Sequence, residues 1–449
     1  MLESLPADPA ADHIVGLPSD LPPDLPPDHI VGLPPDLPPD PAADPAADPA
    51  ADHIVGLAAD LPADLPSDHI VDRAARRAAG VVKWTKYDSD VVPAWVAEHD
   101  LGQPPAVHER LRQLVDAGAY GYHDANESMV EAFCRWATRR HGWSPEDGLV
   151  RPTNNVVQGV WASVQAFTRP DQKIVLSDPV YYPFHELGPT TEREVVKWNL
   201  VRDDAGWHYD LDHLQALLEG DPSIRLLLLC HPQNPTGRVL TAAQLTRIVE
   251  LAIEHDLIIV SDEIHYDLVH PGAVHVPTLT IPGAASCTIA VTSGIKTFAI
   301  GGLRCAVTVC GDERLHAVLA AIPDNLLTAP NRFGCEASIA AWDTGDAWVD
   351  DLRATLDTNR HRLVDRLHAE LPEVGIHLPE STFLAWLDLS AFEPGDRPST
   401  WLRALTGVAC ESGPKFGAGG DGHVRLNFGT SPEVLDEIID RLVAGLAGT

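Results

Sequence analysis

Lys296 lies in the run Val291-Thr-Ser-Gly-Ile-Lys-Thr-Phe-Ala-Ile-Gly-Gly-Leu-Arg304, directly after an apolar stretch that reads as a buried strand. Of the six lysines in the chain, it alone follows a strand and is framed by Ser, Thr and Gly, with Arg304 eight residues on. Desolvation in such a place removes the proton from an ammonium and leaves a nucleophilic amine, the group that a Schiff base with an aldehyde cofactor requires. Ser293 and Arg304 suit a phosphate beside it. Asn234, in His231-Pro-Gln-Asn-Pro-Thr-Gly237, and Asp262, in Ser261-Asp-Glu263, also stand just beyond apolar runs. Taken alone, Lys296 could equally be a surface lysine after a strand.

The elements that must position these residues alternate. Lys173-Ile-Val-Leu-Ser177, Arg225-Leu-Leu-Leu-Leu-Cys230, Leu257-Ile-Ile-Val260 and residues 288–292 and 305–309 read as strands. Residues 127–140 carry Met129, Val130, Phe133, Trp136 and Ala137 at helical spacing, and 241–256 read as a helix with Thr241 as its N-cap. Short apolar runs alternating with helices predict a mostly parallel sheet covered on both faces. Ligand sites in such sheets form beyond the carboxyl ends of the strands, so one cleft can hold Asn234, Asp262 and Lys296.

The formal charge of −33 excludes nucleic acid and anionic membrane surfaces as partners. Seven scattered cysteines without Cys-x-x-Cys spacing point to reduced thiols in a cytoplasmic protein, and no stretch approaches a membrane span. Residues 1–72 are of another kind. They hold fifteen acidic residues and no Lys or Arg, and repeat Asp-His-Ile-Val at 12, 28, 52 and 68. An Asp falls on every fourth position from Asp8 to Asp72 except at Gly16, Gly32 and Gly56. Dense proline forbids a regular helix, and the low apolar content provides no core. The segment is therefore expected to be disordered and dispensable.

Asn234-Pro-Thr-Gly237, Ser261-Asp-Glu-Ile-His265 and Ser293-Gly-Ile-Lys296 with Arg304 resemble fold-type I pyridoxal-phosphate enzymes of the aminotransferase class I/II superfamily. Pro93-Ala-Trp-Val-Ala-Glu-His-Asp100, Tyr120-Gly-Tyr122, Asp262-Glu-Ile-His265 and Ser381-Thr-Phe-Leu-Ala-Trp-Leu-Asp388 resemble its MalY/PatB group of C–S β-lyases. The resemblance covers about residues 80–449. It implies an α/β fold with 80–115 and 326–449 as a smaller α+β domain and 116–325 as the large cofactor-binding domain, preceded by residues 1–79 as the disordered repeat tail that the composition predicts. It also implies roles for single residues. Lys296 would carry pyridoxal 5'-phosphate and move the Cα proton; Asp262 would pair with the pyridine nitrogen; Asn234 and His265, with Tyr266 as competitor, would face the phenolic oxygen. Tyr181, with Tyr182 as competitor, would stack on the ring and serve in catalysis. Asn155, Val156, Ser293 and Arg304 would hold the phosphate, joined by Tyr122 from the neighbouring subunit of a homodimer with shared active sites. Arg425, in His423-Val-Arg-Leu-Asn-Phe428, would grip the carboxylate of an amino-acid substrate. The activity implied is cleavage of L-cystathionine or a related L-cysteine S-conjugate to thiol, pyruvate and ammonia.

Other readings compete. Close relatives often carry Ser before the lysine and Asn shortly after it, where this chain has Ile295 and Ala299, so an aminotransferase is the nearest alternative. His265, Asp267, His270 and His275 near Asp262 and Glu263 could form a metal site. A DNA-binding regulator with an aminotransferase-like domain would need a basic helix-turn-helix, and the acidic, proline-rich N-terminal segment is a poor one.

Overall fold

The computed structural model describes residues 72–203 and 206–447. The expected disorder of residues 1–72 falls outside them except at Asp72. The tail drawn to residue 79 runs too far: Arg73–Ala78 is a helix, with Asp72 accepting from the Ala75 N–H at its N-cap. Arg73 of this helix pairs with Glu437, and Arg76 donates to the Asp100 carbonyl (3.0 Å). The arginines that end the acidic repeat thus bind the folded body.

Thirteen strands are described: β1 Val92–Ala94, β2 Val150–Thr153, β3 Lys173–Asp178, β4 Glu194–Asn199, β5 Val201–Asp203, β6 Gly206–His208, β7 Ile224–Cys230, β8 Ile258–Asp262, β9 Thr288–Thr292, β10 Ala306–Cys310, β11 Leu384–Asp388, β12 Val408–Ser412 and β13 His423–Asn427. Seven form one sheet in the order β2-β10-β9-β8-β7-β3-β4. Only β10 runs against the others. The central strands are apolar along nearly their whole length because helices cover the sheet. A smaller sheet, β1-β12-β13-β11, packs under the helices Asp346–Glu370 and Pro432–Leu446. β5 and β6 form a separate hairpin.

The partition into domains differs from the expected one at two helices. Pro105–Asp116 and Arg332–Thr344, assigned by sequence to the small domain, bury Val107, Cys335, Ala341 and Trp342 in one cluster with Phe133 and Trp136 of helix Ala125–His141 and with Val307 of the large sheet. Helix Asp346–Glu370 spans both bodies. Val349 joins that cluster, while Leu352, Leu356, Leu363 and Leu367 join the small-sheet core. No helix among the described residues is long and apolar enough to cross a membrane.

Helix Val156–Phe167 lies close on the large sheet because of Gly159. A Cβ there would meet Thr308 Oγ1 at 2.6 Å and Val291 Cγ1 at 2.8 Å. Gly159→Ala should cost about 1–3 kcal/mol as overpacking, read as a lower urea midpoint. An unchanged midpoint would show that the helix backs off the sheet freely.

Candidate active site

The carboxyl ends of β7, β8 and β9 open on a cavity of about 230 Å³ that the small sheet borders with β12 and β13. Lys296, Asp262, Asn234, His265, Tyr181, Asn155, Val156, Arg304 and Arg425 all line it. Nine of the eleven residues expected at the site therefore converge. Tyr122 lies outside the cavity with its side chain fully exposed. Ser293 is buried but faces elsewhere: its Oγ donates to the Cys305 carbonyl and accepts from the Ile295 N–H (3.1 Å), tying down the turn after β9. Here it shapes the Lys296 turn.

Lys296 Nζ donates to the Ala97 carbonyl at 2.7 Å. Burial and the nearby Arg425 charge lower its pKa to about 8, against the opposing pull of Glu98 and Asp262. Asp262, the last residue of β8, is buried, and its side chain accepts a single hydrogen bond among the described residues, from Ile264 N–H (3.1 Å). Burial, helped by Glu263, raises its carboxyl to about 7, with the Ile264 N–H and Lys296 opposing. Among the described residues this carboxylate has no ion pair, which suits a protonated pyridine nitrogen as its partner.

Asn234 Oδ1 accepts from Arg425 Nη1 (3.0 Å), and Arg425 Nη2 donates to the Trp95 carbonyl (3.1 Å). The guanidinium is buried, lies 4.9 Å from the centre of the Phe416 ring, and keeps its Nε without a partner. Of the competitors beside Asp262, His265 is the one at the cavity. Burial and the Lys296 and Arg425 charges lower its imidazole to about 3, so it is neutral, and its Nδ1 has no partner. Tyr266 is buried against His141 on the other side. Tyr181 and Tyr182 both line the cavity, and burial raises the Tyr181 phenol to about 12. Their loop is anchored to the small-sheet side by Val180 N–H on Phe416 O and Ala418 N–H on Asp178 Oδ2.

At the other end of the cavity, Asn155 caps helix Val156–Phe167 by accepting from Gln158 N–H (2.9 Å). The Val156 and Val157 amides, in the first turn, have no carbonyl within the helix to bind, an arrangement that suits an anion. Arg304 stands exposed beside them with no hydrogen bond or ion pair among the described residues. The donor set, the unpaired Asp262 and the half-buried Lys296 fit pyridoxal phosphate: amides and Arg304 for the phosphate, Asp262 for the ring nitrogen, Asn234 and His265 for the ring oxygen.

The residues of the imagined metal site disperse. Glu263 accepts from His275 (3.1 Å), His270 bonds the Thr382 carbonyl (2.7 Å), and Asp267 takes His141, Trp136 and Thr297. Sequence reading missed three participants. Trp95 and Ala97 act through their carbonyls, which leave no trace in side-chain type. Glu411 lines the cavity because β12 pairs with β13, placing it across from Arg425.

The aminotransferase class I and II family model matches residues 93–442. The chain is 33% identical to the cystathionine beta-lyase PatB of Bacillus subtilis over 84% of its own length and 99% of that protein. It is 30% identical to the protein MalY of Escherichia coli, covering 79% of the chain and 91% of MalY. The crystal structure of cystalysin from Treponema denticola, containing pyridoxal 5'-phosphate, superposes with a TM-score of 0.79 at 28% identity, over 83% of this chain and 97% of that one.

The Asp262 shift has a sign that can be checked in cofactor-free protein. A carboxyl raised to about 7 in the fold, from the ordinary 3.8, contributes stability fully present below pH ~4 and lost as pH rises through about 7. Asp262→Asn in cofactor-free protein should therefore unfold at higher urea than wild type at pH 8, by on the order of 4 kcal/mol, with the difference closing near pH 4. A variant less stable than wild type at pH 8 would contradict this.

Proposed function

The chain belongs to the aminotransferase class I and II family as a pyridoxal-phosphate-dependent C–S lyase, and we propose that it cleaves L-cystathionine or a related L-cysteine S-conjugate to thiol, pyruvate and ammonia. The observation that carries this reading is the meeting of Lys296, Asp262 and Arg425 on one cavity in a chain alike over most of its length to a protein named cystathionine beta-lyase.

Pyridoxal phosphate, when bound, supplies the electron sink that stabilises negative charge at the substrate's Cα. The chain's own residues do the rest. Arg425 orients the α-carboxylate, and its hydrogen bonds to Asn234 and the Trp95 carbonyl fix the guanidinium plane. Lys296 Nζ takes the Cα proton; a pKa near neutrality suits an amine that must both accept and return it. Asp262 holds a positive partner at the end of β8. The Cβ–S bond then breaks, the thiolate leaves, and hydrolysis of the remaining three-carbon fragment gives pyruvate and ammonia. Tyr181 stays a neutral phenol beside the reacting group. The exposed Tyr122 suits a residue that reaches a neighbouring subunit's phosphate site, in a cytoplasmic homodimer. Ile295 and Ala299 beside Lys296 keep transamination as the second reading.

Holoenzyme given L-cystathionine should release pyruvate and free thiol with no keto acid added. Glutamate from an amino acid plus 2-oxoglutarate, with no pyruvate from cystathionine, overturns the lyase reading. Lys296→Ala should lower kcat by roughly 10²–10⁴-fold and leave no cofactor that borohydride can fix to the chain.

A further inference from the structure

Two carboxylates line the cavity, and the steps above use only Asp262. The other is Glu411 of β12, the cross-strand partner of Arg425. Directly opposed residues of neighbouring antiparallel strands project from the same face of the sheet. Yet the two side chains make no ion pair within 4.0 Å, because Arg425 extends past Glu411 to Asn234 and the Trp95 carbonyl. Glu411 Oε1 instead accepts from Lys415 Nζ (3.0 Å) and from Ser412 N–H (3.1 Å). Its Oε2 has no hydrogen-bond partner among the described residues. Lys415 is 56% exposed, and its ammonium lies 5.7 Å from the ring centre of Tyr182, another cavity residue. A mostly buried carboxylate with one unused oxygen, in the cavity lining, and a half-exposed ammonium, against Tyr182 of that lining, therefore stand side by side.

We propose that Glu411 and Lys415 form a distal subsite for a zwitterionic amino-acid head group on the thiol half of the substrate. Glu411 Oε2 receives that head group's ammonium and Lys415 its carboxylate. Such charge-assisted bonds are roughly twice as strong as neutral ones. An unpaired carboxylate oxygen here also disfavours substrates that end in a carboxylate alone, as dicarboxylic amino acids do. The inference rests on the lyase reading for its substrate class: thioethers carrying an amino acid at both ends bind better than simple S-alkyl-L-cysteines.

The test compares kcat/KM for L-cystathionine and for S-propyl-L-cysteine in wild type, Glu411→Gln and Lys415→Met, together with the calorimetric Kd of L,L-2,7-diaminosuberate, which has both head groups and no C–S bond. Each substitution should lower the cystathionine-to-S-propylcysteine ratio by about tenfold and weaken diaminosuberate by a similar factor. Lys415 is largely exposed, so its variant keeps the test alive if Glu411→Gln misfolds. An unchanged ratio in both variants overturns the subsite. Equal loss on both thioethers also overturns it, since Glu411 would then act through Arg425. If wild type makes no pyruvate from either thioether, the lyase reading fails, and diaminosuberate alone decides: weakened binding in both variants upholds the subsite, and unchanged binding removes it.

Discussion

Lys296 and Arg425 face one cavity, and the arginine's charge is a principal reason, after burial, that the lysine holds its proton weakly. Two cations kept from water need backbone or side-chain oxygens in fixed places. Much of that supply comes from one short segment after β1. The Ala97 carbonyl takes Lys296 Nζ, and the Trp95 carbonyl takes Arg425 Nη2. The segment makes no ladder of its own there. Asn427 holds it instead, donating to the Val96 and Glu98 carbonyls (2.7 Å each). Buried Lys83 donates to the Glu98 carbonyl (3.1 Å) and pairs with Asp100 (2.6 Å), which also accepts from Trp84 Nε1. Removing one partner of such a buried pair leaves an uncompensated charge, at a cost of several kcal/mol. The helices Arg73–Ala78 and Val82–Thr85, which carry Arg76, Lys83 and Trp84, are therefore part of the active-site frame.

The same constraint links the two sheets. The cofactor-side residues hang from strand ends of the large sheet, and Arg425 belongs to the small one. Their distance is held by groups that cross between the bodies: His99 Nε2 on the Thr297 carbonyl (3.0 Å), Arg238 Nη1 on Glu380 (2.8 Å), and the continuous helix Asp346–Glu370 with apolar residues in both cores. Thr297 follows Lys296 directly, and its hydroxyl donates to buried Asp267 (2.9 Å). The turn that carries the lysine is thus bonded on both sides.

What was legible in the sequence follows from where the information resides. Asn234, Asp262 and Lys296 each follow an apolar run, and a parallel sheet brings strand ends together, so their convergence could be read from order alone. The choice of His265 over Tyr266 could not, since adjacent residues at a strand end differ only in which face they meet. Ser293 has the right type for a phosphate, but a serine after a strand can equally bond its own turn, as it does here. Glu411 became visible only through register, because nothing in its neighbours marks it as opposite Arg425. The helix Arg73–Ala78 was hidden by the repeat that precedes it, although its three arginines already mark the change of composition.

Asp262 and Glu263 show how function separates from structure at a single strand end. Both are buried carboxylates, one residue apart, and burial alone would raise both. Glu263 is nevertheless held at about 2, because His275, the Thr278 N–H and the Ser261 hydroxyl fill its oxygens. Every acceptor position that the fold can satisfy is satisfied, which is the condition for a buried acid that only supports structure. Asp262 has one backbone donor and is driven up to about 7. The fold completes one carboxylate fully and leaves its neighbour facing a cavity with no ion pair among the described residues. Lys296 borders the same cavity, an arrangement that suits a pyridinium nitrogen at one end and an aldehyde at the other.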